Sequence, residues 1–90
     1  MRCEFRWNVW NLGHIAGHGV TVEEVEHVVE QPDAGYPEVI GDGKYRVRGQ
    51  SADGRYLQAI YLFDPMSVVY VIHARDLTDR EKRALRRRRR

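Results

Sequence analysis

Two groups of side chains in this sequence have types and spacing suited to chemistry. The first is a histidine pair. His14 and His18 are separated by three residues, which puts both imidazoles on one face of a helix, and metal sites use that spacing. A catalytic zinc also needs a third ligand and a general base, as in H-E-x-x-H. Ile15 follows His14, and neither requirement is evident nearby. No metal and no other cofactor is therefore expected, and the two rings are expected to cap the helix end or bond backbone carbonyls. The second group is Tyr56, Gln58, His73 and Arg75, all within a stretch of alternating polar and apolar residues. An arginine can stabilise charge that develops on a phosphate, and a histidine exchanges protons near neutral pH. Gathered on one sheet face, these four would suit the handling of a phosphodiester.

The elements that must position these groups are legible in outline. "EFRW" (4–7) reads as a short first strand. Apolar residues at Val9, Trp10, Leu12, Ile15 and Ala16 suit a first helix, which Gly17 and Gly19 should end. Thr21 and Glu24 form a T-x-x-E capping box. Val22, Val25, Val28 and Val29 then share one helical face, and Pro32 stops the helix. Residues 32–43 read as a loop with a short extended piece near Val39. Three strands follow, at 44–49, 55–63 and 67–75, joined by turns at "SADG" and "DPMS". Thr78 and Glu81 repeat the capping pattern and open a basic helix.

With two-residue loops at both turns, Val47 would pair with Gln58, and Gln58 with His73. Tyr56, Gln58, His73 and Arg75 would then meet at one end of a face filled by Val47, Ile60, Leu62, Val69 and Val71. Lys44, Arg46 and Arg48 would form a basic stripe on the opposite face. That stripe suits nucleic acid, or it is simply a solvated edge that resists aggregation. A one-residue slip in register would exchange the two faces.

The chain has 90 residues, with 42% hydrophobic and 31% charged. Those values indicate one ordinary globular domain with one small core. No apolar run approaches the roughly 18 residues that span a membrane. The first ten residues hold no signal-peptide core, so a cytoplasmic location is expected. Cys3 is the single cysteine, which excludes an internal disulfide and a cysteine-based zinc cluster. The net charge of +2 conceals an asymmetry. Residues 1–79 hold seven Lys/Arg against twelve Asp/Glu, and residues 80–90 hold eight against one. A basic terminal block of this kind, with Arg83, Arg86 and Arg87 in it, either meets a polyanion or is a solvated tail. The expected organisation is one domain over 1–85 and a mobile arginine tail over 86–90.

In order along residues 5–85, the chain resembles the BrnT-like family of type II toxins. The resemblance is carried by Trp7, by "HGV" at 18–20 leading into "VEEVEHV", by Gly49, Gly54 and Arg55, and above all by "VIHARDLTDREKRAL" at 71–85. It implies a small RelE-like α+β domain: an antiparallel β-meander, two N-terminal helices on one face and a basic C-terminal helix. It also implies a ribonuclease acting on RNA, free or ribosome-associated, and paired with a DNA-binding antitoxin of the ribbon–helix–helix type. Such cleavage needs no metal, because the RNA 2′-hydroxyl attacks its own phosphate while basic side chains stabilise the charge. The expected roles are Arg75 on the phosphate, His73 as acid or base, and Arg55 and Tyr56 in support. The family usually carries lysines in the first helix and before "HGV", where this chain has Trp10 and Gly17. That departure fits an alternative, a non-catalytic relative that binds nucleic acid or protein.

Overall fold

The two N-terminal helices begin where their caps are. Asn8 and Asn11 close a reciprocal capping box at the start of α1 (Val9–Gly17). Thr21 and Glu24 do the same for α2 (Val22–Glu30). Each box satisfies two backbone N–H groups that a helix start leaves without partners. Between the helices the chain turns at Gly19, whose φ of +67° lies in the left-handed region that favours glycine. The structure, a computed structural model, describes residues 2–88.

Five strands form one sheet in the order β1-β5-β4-β3-β2. They are β1 (Phe5–Arg6), β2 (Glu38–Gly41), β3 (Lys44–Gln50), β4 (Tyr56–Phe63) and β5 (Val69–Asp76). β2 to β5 run antiparallel as a meander. The short β1 joins β5 in parallel, so the sheet is mixed. Helix α3 (Asp79–Arg88) ends the described chain. The architecture is the small α+β domain expected.

The core lies between the sheet and the first two helices. Ile15 from α1 and Val25, Val28 and Val29 from α2 pack with Val47, Leu57, Ala59, Tyr61, Val69, Val71 and Ala74. Val28, Val47 and Val71 are wholly buried, and burying such a side chain is worth about 1.5–3 kcal/mol. β1 stops after two residues, and α1 packs against β5 beyond it. Helix α3 lies across the other face of the sheet, where Glu81 reaches Arg48 of β3 and Arg75 of β5. Leu77 and Leu85 are buried outside the main cluster.

The register differs from that of two-residue loops. Both turns are longer: Ser51 N–H donates to Arg55 O, and Asp64 N–H to Val68 O. The Asp64 carboxylate also accepts the N–H groups of Met66 and Val68, which fixes the wider turn. Val47 therefore pairs with Ala59, and Arg48 with Gln58. Gln58 pairs with Arg75 rather than with His73. This is a one-residue slip between β3 and β4, and it exchanges the faces of β3. Val47 joins the helix-covered core with Val69 and Val71, while Lys44, Arg46 and Arg48 share a face with Gln58 and Arg75. A bulge at Ile60/Tyr61 leaves Ile72 outside the ladder and puts His73 and Arg75 on the face opposite Val69 and Val71.

Candidate functional site

Arg48, Gln58 and Arg75 lie side by side across three strands. Arg48 Nε donates to Gln58 Oε1 at 2.9 Å. Glu81 descends from α3 between the two arginines. Arg75 holds its carboxylate with two hydrogen bonds of 2.8 and 3.0 Å, and Arg48 Nη2 adds a third at 3.0 Å. The same carboxylate accepts Thr78 N–H at 2.8 Å, and Thr78 Oγ1 accepts Glu81 N–H, which completes the helix cap. The hydrogen bonds from Arg75 are the main reason that Glu81 is pulled down to about 2, and they raise the guanidinium of Arg75 in turn. Arg75 therefore fastens α3 to the sheet.

Arg55 is committed in the same way. Nε and Nη2 grip Asp76 at 2.7 and 3.0 Å, and Nη1 donates to Gly19 O at 2.7 Å and Glu24 Oε1 at 3.1 Å. One guanidinium ties the α1–α2 turn and the cap of α2 to the end of β5. Its hydrogen bonds hold the Asp76 carboxyl below the usual carboxylate range. Tyr56 pairs with Gln50 at the next position along the sheet, and the Arg86 guanidinium lies 5.3 Å from its ring centre. Tyr56 and His73 thus share a face with Gln58 and Arg75, as expected, but lie one step to either side of that pair.

His73 takes part in a different constellation. Its ring centre lies 5.0 Å from that of His14 and 5.8 Å from that of His18, and the latter two are 4.9 Å apart. The helix supplies two imidazoles and the bulged strand supplies the third. His14 Nε2 is buried and has no hydrogen-bond partner. Burial, and secondarily the neighbouring imidazoles, push His14 and His73 below the ordinary histidine value, with Arg75 also acting on His73. The rings do not cap α1. The backbone N–H of His18 closes that end onto Ala16 O and Ile15 O. Sequence reasoning found the pair His14 and His18 and, apart from it, His73, and missed that the three meet, since the packing of α1 against β5 decides it.

The remaining cations divide into paired and outward-facing groups. Arg46 is bound to Glu38 through Nε and Nη2, both at 3.0 Å, while Lys44 lies half-buried two residues earlier on the same face. Helix α3 continues to Arg88, so Arg86 and Arg87 are helical rather than part of a mobile tail, and Arg89 and Arg90 lie outside the described residues. Arg80, Arg83, Arg86 and Arg87 are exposed. Arg88 donates to Tyr36 Oη at 2.8 Å and lies over that ring. A separate cleft of about 640 Å³, lined by Cys3, Tyr61, Phe63, Met66 and other residues, shares none with the imidazole cluster.

Comparison with known protein families, with curated proteins and with solved structures gives no match. Among the described residues no helix is long and apolar enough to cross a membrane.

Proposed function

We propose that the protein binds single-stranded RNA through the outward face of α3, as a RelE-like relative of the BrnT-like toxins. One observation carries this reading. Glu81 is the sole acidic residue in 80–90, and it is turned inward under the helix onto Arg48 and Arg75. Beyond Asp79, which is exposed at the start of the helix beside Lys82, the solvent side is left to Arg80, Arg83, Arg86 and Arg87. Such a surface attracts a phosphate backbone through counterion release. Tyr56 and Tyr36 lie beside Arg86 and Arg88, and aromatic rings beside cations can stack on unpaired bases. An antitoxin of the ribbon–helix–helix type is the protein partner that the resemblance supplies.

The test is fluorescence anisotropy with a labelled single-stranded RNA across a salt series. Four phosphate contacts would give a slope of about −3 in log K against log salt. Arg83→Glu with Arg87→Glu should weaken binding and flatten the slope while leaving the melting temperature unchanged. Absence of binding at low salt, or a slope that the double variant leaves unaltered, would rule the reading out.

A second reading, metal-independent RNA cleavage, is favoured by the place of His73. It stands among two further imidazoles and close enough to Arg75 to feel its charge. Two neighbouring imidazoles can serve as general base and general acid around a 2′-hydroxyl attack. Induced expression in a bacterium should then arrest growth, and His73→Ala should relieve the arrest. Cleavage assays with and without ribosomes decide the matter: intact RNA in both leaves the binding reading alone.

A further inference from the structure

The RNA-binding reading does not account for why three imidazoles crowd together, one of them with a buried, unpartnered nitrogen. Among the described residues, no hydrogen bond from the rings of His14, His18 or His73 to another protein group is formed, and His14 Nε2 is sealed from solvent as well. Buried polar atoms are nearly always satisfied, and an exception calls for an ion, a water or a function. Three neutral imidazoles from two elements, one helical pair at i and i+4 and one distant residue, are the donor set of a three-histidine metal centre.

We propose that His14, His18 and His73 form a binding site for a zinc-class divalent metal ion, with the fourth coordination position open to solvent beside the exposed His18.

The ring positions carry the argument. With metal–nitrogen bonds of about 2.0–2.1 Å and tetrahedral angles, the centres of two coordinating imidazoles lie about 5 Å apart. The three centres here are separated by 4.9, 5.0 and 5.8 Å. As the rings stand, no group of three His, Cys, Asp or Glu among the described residues is arranged to hold an ion. The rings are tilted by 49°, 49° and 64° to one another. Rotation about the Cβ–Cγ bond changes which nitrogen points inward, yet it scarcely moves the ring centre, because the centre lies on that axis. The backbone has thus already set the rings at coordination spacing, and binding asks only for side-chain rotation. Imidazole suits zinc, copper and nickel, whereas magnesium and calcium take oxygen donors. The sequence argument against a metal rested on the lack of a third ligand, and His73 is that ligand.

The inference is independent of RNA binding, and its test needs no RNA. The untagged full-length chain is stripped with a chelator and titrated with zinc chloride by calorimetry. Cobalt(II) serves as a spectroscopic probe of four-coordinate geometry. One ion per chain and a rise in melting temperature with zinc are expected. His73→Ala and His18→Gln should each weaken binding at least about 100-fold and remove the zinc-dependent rise. His18 is exposed, so His18→Gln remains folded if removal of the more enclosed rings disturbs packing, and thermal melts without metal confirm it. His27, the fourth histidine, stands outside the cluster, and His27→Gln should change nothing. No stoichiometric binding, or binding that His18→Gln leaves within about threefold, overturns the proposal.

Discussion

Two residues on one face of β5, Arg75 and His73, meet their polar neighbours in opposite ways. Toward α3, Arg75 is matched to Glu81, Arg48 shares that carboxylate, and Gln58 holds Arg48. Toward α1, His73 meets two more imidazoles, and nothing completes them. A closed network of donors and acceptors serves the fold, since every group in it gains from the native arrangement. A cluster whose members leave one another unsatisfied weakens the fold and is explained by something it binds or does. Arg75, expected on a phosphate, falls in the closed network, whereas His73, expected as acid or base, meets the two histidines that were expected only to cap a helix end.

The largest effect that can break this comparison is expected at Glu81. Glu81→Ala removes the partner of Arg75, one partner of Arg48 and the acceptor for Thr78 N–H. It leaves two guanidiniums facing one another across the strands. The expected loss is about 2–4 kcal/mol, because a half-buried charged pair is broken and a helix cap is lost. For a chain of this size that lowers the melting temperature by about 10–20 °C. Arg75→Ala removes one partner and should lower it by roughly half as much, with RNA affinity nearly unchanged. Arg75→Ala that melts like the wild type but loses function would instead place Arg75 in catalysis and undo the comparison.

Acid should weaken the same network next. Glu81 falls from 4.5 to about 2, chiefly through the hydrogen bonds from Arg75. A folded value below the unfolded one means that the contribution is complete above pH 5 or so. It is lost as pH falls from the unfolded value toward about 2. Solvent at this partly open site reduces the contribution to about 1–2 kcal/mol. Asp76 is shifted in the same direction by Arg55. Urea melts from pH 6 down to pH 2.5 should show this loss, and Glu81→Gln should show a shallower one. Equal pH dependence in both proteins would show that Glu81 is not the group responsible.

Most of the fold could be read from the sequence because its signals are local. The T-x-x-E boxes at Thr21 and Thr78 and the valine stripe of α2 fix helix starts and a buried face within a few residues. The candidate site could not be read so well, because it depends on register. The turn at Ser51–Arg55, one residue longer than a two-residue loop, moved β3 by a single position and turned Val47 inward and Arg48 outward toward Gln58. The bulge opposite Ile60 and Tyr61 then set His73 and Arg75 together on the face opposite Val69 and Val71. Nothing in "VIHARD" announces a bulge, and nothing near His14 announces a partner 59 positions later.

The smallest effect sharpens the comparison most, because its expected sign is unusual for a residue this well enclosed. His14→Leu replaces an imidazole by an apolar side chain of similar size where Nε2 is buried and unpartnered. An unsatisfied buried polar atom costs about 1–3 kcal/mol, and exchanging it for a methyl-bearing group can recover part of that. The ring's lowered proton affinity, due first to burial and then to His18, points the same way: the fold gains nothing from its charged form. In chelator-treated, metal-free buffer, His14→Leu should therefore melt with the wild type or up to about 4–8 °C above it. The contrast with Glu81→Ala is then one of sign, from groups that meet residues two apart on one strand. A large loss of stability in His14→Leu would show that the imidazole is bonded within the native fold, and the cluster would belong with the arginine network. A melting temperature kept or raised, together with loss of the stabilisation that zinc gives the wild type, would show that His14 serves binding rather than folding.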